Sequence, residues 1–252
     1  MKKFNPQMKP VHRSMIIDWI FRFDGMFDIV SDTYCITTYI FDAFISRETV
    51  ERAEYQLAGL ACFYLACKYE EVYYPLLQTL VEVCDNLYDK RDFLEMEKRI
   101  LGALKFDIGR PSSLQFLRRY SRAALTPNRV HTMAKYFCEL SLVYYEFSHL
   151  RPSMVAAAAL YLSILLNSAA NSEIDPNTMW TPALEYYSTY KLIDIESIIN
   201  LLAHIILDSE SSRLSQARDK YSDEYLFEVS KLSVRMEEIL QHFADHHTAS
   251  SK

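Results

Sequence analysis

Glycine is scarce in this chain, with 4 residues in 252, and proline supplies only 8 more. Sheet-rich folds spend many more of both on tight turns, so the shortage argues against a sandwich or barrel and for helices. No apolar run reaches the roughly 20 residues that a membrane-spanning helix takes. The longest, Met154 to Leu166, is broken by Ser163, and the first residues lack the apolar core of a signal peptide. An excess of basic residues is also missing. Lys and Arg number 27 against 33 Asp and Glu, a net charge of −6, which leaves no electrostatic footprint for a nucleic-acid backbone. These absences predict a protein of the nucleus and cytoplasm that grips neither nucleic acid nor membrane.

The chemistry of an active site is missing too. No Gly-rich phosphate loop, nucleophile motif or metal-binding helix pair is found, so neither an enzyme nor a cofactor is expected. The five cysteines, Cys35, Cys62, Cys67, Cys84 and Cys138, are odd in number and form no CxxC pair. They read as reduced, buried small hydrophobes. His242, His246 and His247 lack Cys or acidic partners at ligand spacing and read as part of a solvated terminal segment, with no metal.

Helical periodicity is abundant. Residues 1–11 read as a short polar extension. Apolar residues at helical spacing then predict a helix from Arg13 to Phe23, broken by Asp24-Gly25. A second follows from Ser31 or Asp32, a good N-cap pair, to Ile45. A third, Val50 to Tyr69, is apolar almost all round, as a helix buried on most sides would be. Pro75 opens a fourth in its first turn, and Asp89 to Phe106 makes a fifth. After Gly109 and Pro111 a second series begins. Ser112 or Ser113 caps a helix through Arg122, and Thr126-Pro127 caps one through Phe147. Pro152 opens a very apolar helix to Leu166, followed by Pro182 to Tyr190 and Ile193 to Leu207.

The third helices of the two series can be laid side by side. Leu57-Ala58-Gly59-Leu60-Ala61-Cys62-Phe63-Tyr64-Leu65 matches Met154-Val155-Ala156-Ala157-Ala158-Ala159-Leu160-Tyr161-Leu162. Small residues let neighbours approach closely, as a central helix wrapped by others requires. The expected architecture is all-α: two tandem five-helix domains, residues 12–109 and 110–208, with a C-terminal helical tail at 209–252.

Against that layout, five segments resemble the cyclin family, in order and at family spacing. His12 to Trp19 is similar to the opening helix of A- and B-type cyclins. Leu65-Ala66-Cys67-Lys68-Tyr69-Glu70-Glu71 resembles the end of their third helix. Met96-Glu97 with Leu104-Lys105-Phe106-Asp107 resembles their fifth. Pro152 to Ala158 resembles the opening of the second-domain central helix. Arg218 to Ser222 with Phe227 to Ser230 resembles the tail of B-type cyclins. The resemblance is to the mitotic, B-type group.

Periodicity alone marks Lys68 as a helix-end cation and Glu97 as a charge among apolar neighbours, and solvated charges would explain both. In the repeat, Lys68 falls opposite Leu165 and Glu97 opposite Ile198, so the fold itself needs no charge there. The resemblance implies a role. In cyclins this Lys and Glu hydrogen-bond main-chain groups of the mobile regulatory helix of a cyclin-dependent protein kinase. Tyr69, Leu101, Phe106 and Ile108 would surround them with apolar contact. Docking would shift the kinase allosterically into its active arrangement and set cell-cycle progression, at the G2-to-mitosis step for this group.

The resemblance implies a second site on the first helix, for substrates or inhibitors bearing an Arg-x-Leu motif. Met15, Ile16, Trp19, Arg22, Tyr55 and Gln56 are its candidates. Arg22 stands where some members carry an acidic residue, His12 replaces a Met and Tyr55 a Leu. An Arg facing the motif's Arg opposes binding, so ordinary Arg-x-Leu recognition is not expected. The competing readings are a cyclin-fold transcription factor, whose usual Zn ribbon and basic surface are missing here, a transcription-associated cyclin, and a helical adaptor without a kinase. Arg91-Asp92-Phe93-Leu94 fits an R-x-x-L destruction pattern but lies inside a predicted helix.

Overall fold

The computed structural model describes residues 4–168 and 179–250, with side chains through 246. Among the described residues there are helices and connecting turns and no strand. The chain divides into two compact units. The first comprises Met1–Arg110 with Leu142–Ser148, the second Pro111–Ser141 with His149–Lys252.

Unit 1 holds α1 (Pro10–Phe21), α2 (Ser31–Ile45), α3 (Tyr55–Glu70), α4 (Leu77–Val83) and α5 (Lys90–Leu104). Helix α3 packs against α1, α2 and α5, and α4 lies on α5. The central helix of the unit is therefore touched most closely by three neighbours. Gly59 explains how α1 comes so close. A Cβ there would sit 2.5 Å from Ile16 Cγ2, well inside van der Waals contact.

Several helix ends fall elsewhere than the sequence predicts. Pro10, pre-shaped for a first turn, opens α1 three residues early, and α1 gives way to a 3₁₀ turn at Arg22–Gly25. The presumed extension is built into the unit. Asn5 Nδ2 donates to the carbonyls of Ile45 and Glu48, both at 2.7 Å, and Asn5 Oδ1 accepts from Val50 N at 2.7 Å. One polar side chain thus satisfies three backbone groups of the turn after α2, and Met8 is buried beside it in sequence. A 3₁₀ turn, Arg52–Glu54, delays α3 to Tyr55. Pro75 precedes α4 and does not enter its first turn. Asp89 caps α5, accepting from Arg91 N and Asp92 N, while Asp92 returns the bond to Asp89 N.

Arg13 is the most consequential buried polar group in unit 1. It is 1% exposed, donates through Nε and Nη2 to both oxygens of Asp42 on α2, and through Nη1 to the carbonyls of Leu142 and Val143. Leu142 and Val143 come late in the chain yet belong to this unit. A guanidinium out of water is tolerable only when its donors are matched in this way.

Unit 2 holds α6 (Ser113–Ala123), α8 (Pro152–Ser168), α9 (Pro182–Ser188), α10 (Leu192–Ser209), α11 (Gln216–Lys220), α12 (Val234–Ser250) and all but the last two residues of α7 (Asn128–Val143). Ser112 caps α6 by accepting from Gln115 N, and Thr181 caps α9 by accepting from Leu184 N. Helix α8, buried from Val155 to Ser163, packs against α6 and α10.

The segment after residue 208 is part of this unit's core. Helix α12 lies along α10 with Met236, Leu240 and Ala244 buried. Tyr221, fully buried, donates to Glu139 Oε1 at 2.7 Å, and Lys220 Nζ lies 3.1 Å from Glu139 Oε2. His242 and His246 are exposed on α12, their ring centroids 5.0 Å apart; the side chain of His247 lies outside the described residues. All five cysteines are buried and none forms a disulfide. Burial pushes the Cys84 thiol up to about 11, with Asp85 adding to it.

Arg13→Ala leaves Asp42 and two carbonyls without their donor, and should destabilise the protein by about 3–5 kcal/mol. Arg99→Ala removes an exposed pair with Glu54 and should cost less than about 1 kcal/mol. Urea unfolding of the two variants beside the wild type measures the contrast.

Candidate functional site

Helices α3 and α5 pack side by side and bring Lys68, on the last turn of α3, against Glu97 in the middle of α5. Lys68 Nζ donates to Glu97 Oε1. The sequence marks the two charges separately; the structure joins them. Lys68 also lies over the Tyr64 ring, 4.6 Å from its centroid. The side chains are 28% and 14% exposed, and Glu97 Oε2 is buried with no hydrogen-bond partner. Burial raises the Tyr64 hydroxyl pKa, and Tyr74, Glu97 and Cys67 add to the shift.

This arrangement carries unused hydrogen-bonding capacity. A carboxylate oxygen shut away from water and unmatched is costly, and an N–H donor from outside would satisfy it. Lys68 uses Nζ for Glu97 and retains further N–H groups for a carbonyl acceptor. The pair is suited to main-chain groups, which offer both.

Exposed apolar side chains surround it. Tyr69 is largely exposed, and Leu101 and Ile108 are half-buried. Leu94 stands one turn ahead of Glu97 on α5 and is exposed. Helix α5 ends through two successive left-handed residues, Lys105 (φ 52°) and Phe106 (φ 60°), with Phe106 N donating to Leu101 O. That turn, unfavourable for residues with a Cβ, leaves the Phe106 side chain 73% exposed. Gly109 makes room for Tyr69, since a Cβ there would meet the Tyr69 hydroxyl at 2.5 Å.

Sequence reasoning missed the stretch between α3 and α4. Val72, Tyr73 and Leu76 are exposed, Tyr73 by 91%, and the Tyr74 ring meets Tyr64 edge-on at 6.1 Å. The signal was present as an apolar Val-Tyr-Tyr-Pro-Leu run without periodicity, which is out of place in a loop unless something covers it. Glu71 fixes its start, accepting from Val30 N at 2.9 Å and from the Thr33 hydroxyl. That carboxylate takes over the capping of α2, where Val30 holds the N-cap position expected of Ser31 or Asp32.

The second group of candidates lies where α1 runs alongside α3 in the same direction. His12 faces Tyr55 with centroids 6.1 Å apart, Ile16 meets Gly59, and Phe23 meets Phe63 at 5.3 Å. Met15 is 57% exposed, Arg22 is exposed, and Trp19 and Gln56 are half-buried. Trp19 packs edge-on against Phe23 at 5.2 Å. Tyr55 is buried and Ile16 is turned towards α3, so these two back the surface without forming it.

Comparison with known proteins bears on the family and the fold. The family model described as the cyclin N-terminal domain matches residues 1–109, and that of the cyclin C-terminal domain matches residues 111–235. The G2/mitotic-specific cyclin-B of Hydra vulgaris is 36% identical over 233 residues, which cover 92% of this chain and 62% of the relative. That of Spisula solidissima is 35% identical over 240 residues, covering 95% of this chain and 54% of the relative. The chain thus spans less than two thirds of the length of these relatives. In fold it is similar to the X-ray structure of a viral cyclin from herpesvirus saimiri, with a TM-score of 0.65 at 18% identity, covering 89% of this chain and 90% of that one.

Removing the Glu71 carboxylate should loosen the start of α2 and the segment that follows α3. For Glu71→Ala a loss of about 1–2 kcal/mol is expected, the size of a lost helix cap. Faster amide exchange should appear at Val30 first.

Proposed function

The chain belongs to the cyclin family, and on that premise we propose that it is a regulatory subunit that binds a cyclin-dependent protein kinase as a heterodimer and switches it on, at the G2-to-mitosis step of its B-type relatives. The observation that carries the reading is the Lys68–Glu97 pair, with one carboxylate oxygen unmatched inside a rim of exposed Tyr69, Leu94 and Phe106. A charge that meets main-chain groups at the centre of such a rim stays satisfied while the rim excludes water.

The action is allosteric. Lys68 and Glu97 take main-chain groups of the kinase's regulatory helix, and Tyr69, Leu101, Phe106 and Ile108 cover its apolar side. Binding must be tighter to the active arrangement than to the inactive one, because equal binding shifts no equilibrium. The chain contributes binding energy and no catalytic group. A net charge of −6 supports a protein partner over nucleic acid. Nucleus and cytoplasm are the compartments this role requires. The outer edge of α1, with Met15, Trp19 and Arg22, and Gln56 beside it, is the docking surface for short linear motifs of substrates or inhibitors.

The isolated chain should transfer no phosphate from ATP, and should strongly raise peptide phosphorylation when added to a monomeric mitotic cyclin-dependent kinase. Transfer by the chain alone, or no stimulation, refutes the subunit reading.

Lys68→Ala and Glu97→Ala should each weaken kinase binding by about 1–3 kcal/mol in calorimetric titration. Their pair is partly exposed, so folding stability should change by less than about 1 kcal/mol. Wild-type affinity in both variants would remove the surface assignment.

A further inference from the structure

The outer edge of α1 is apolar along its length and positively charged at both ends. Val11, Met15 and Trp19 are spaced four apart and so fall in one line on the helix. Val11 and Met15 are more than half exposed, and the Trp19 ring is held upright by Phe23. One turn further, Arg22 is exposed and forms no ion pair among the described residues. The acids nearest in sequence do not answer it: Asp18 is buried, and Asp18 and Asp24 are both engaged elsewhere.

The other end has the same imbalance. Where His12 faces Tyr55, the exposed side chains of Lys9 and Arg52 flank the edge, Arg52 one turn before Gln56. Of the acids there, Glu54 is occupied, accepting from Arg99 at 2.8 Å and from Glu51 N at 3.1 Å. In a chain of net charge −6, this edge presents unpaired cations around an apolar line.

We propose that this edge takes an extended peptide whose apolar side chains seat on Met15 and Trp19 and whose flanking Asp or Glu carboxylate meets Arg22. The inference rests on reading the edge as a docking surface and reverses the charge preference of an Arg-x-Leu motif. Gln56, half-buried alongside, offers the peptide main chain a donor and an acceptor. The carboxylate selects more than it holds, since an exposed charge pair is weak and is screened by salt.

The test uses fluorescein-labelled nonapeptides with a Leu-x-Leu core and an Asp, Gln or Arg pair on one flank, titrated against the full chain by anisotropy. The wild type should bind the Asp peptide about fivefold more tightly than the Arg peptide at low salt, with Gln between. The gap should close in 0.5 M salt, where the Debye length falls to about 4 Å. Arg22→Glu should reverse the order, and Met15→Ala should weaken all three peptides by at least about threefold. Both residues are exposed, and kinase affinity should be unchanged in the two variants. Equal affinities for the three peptides, or an order that Arg22→Glu does not reverse, overturns the acidic preference and leaves the docking surface standing. Failure of all three to bind at millimolar concentration overturns both.

Discussion

A single guanidinium holds unit 1 to one arrangement. Arg13 sits on α1, its carboxylate partner Asp42 on α2, and its carbonyl partners at Leu142 and Val143, about 130 residues away in sequence. Water cannot substitute for any of them at 1% exposure. Displacing α1 would strand a full charge in a medium where it has no other acceptor, at a cost larger than most packing contacts. The position of α1 therefore follows from hydrogen-bond valence. Gly59 then lets α1 settle onto α3, and both candidate edges inherit their placement from that contact.

The surface around Lys68 and Glu97 depends on the same helix from its other side. Helix α3 carries Lys68 and Tyr64 at its end and meets α5, so the pairing of Lys68 with Glu97 is set by helix packing and not by a flexible reach. The pair keeps two opposite charges half out of water until something covers them, and one carboxylate oxygen remains unmet. A surface of this kind is stable alone and incomplete alone. The exposed Phe106 and Tyr73 have the same character in apolar terms.

Periodicity read the helices well because each buries a face, and a 3.6-residue pattern records burial directly. Helix α2 ends as predicted at Ile45, and α8 and α10 differ from expectation by no more than two residues at either end. What periodicity could not show was any contact made by a polar side chain at long range. Asn5 looked like part of a solvated extension, yet it satisfies a distant turn. Glu71 was marked only as the end of a segment resembling the family, yet its carboxylate accepts from Val30 N and the Thr33 hydroxyl at the start of another helix. The same limit applied to the candidate surface. Lys68 and Glu97 stood out through the resemblance and through their apolar counterparts in the repeat, but their mutual hydrogen bond depends on how α3 meets α5. Tyr74 and the loop residues Val72 and Tyr73 carry no helical spacing of their own, so nothing in the pattern singled them out.

The Glu139 contact bears on how the chain comes off the ribosome. Its carboxylate is fully buried in α7, and Tyr221, which donates to it, is synthesised 82 residues later, next to Lys220. Until that stretch emerges, the Glu139 carboxylate has Lys135, 4.0 Å away on its own helix, but lacks its hydroxyl donor and its closer cation, so the native packing of unit 2 must wait for most of its length. A transcript cut short before Tyr221 yields a product that cannot bury α7 properly and is exposed to chaperones and proteases from birth. The buried carboxylate thus works as a completeness check, built into the chemistry of one side chain.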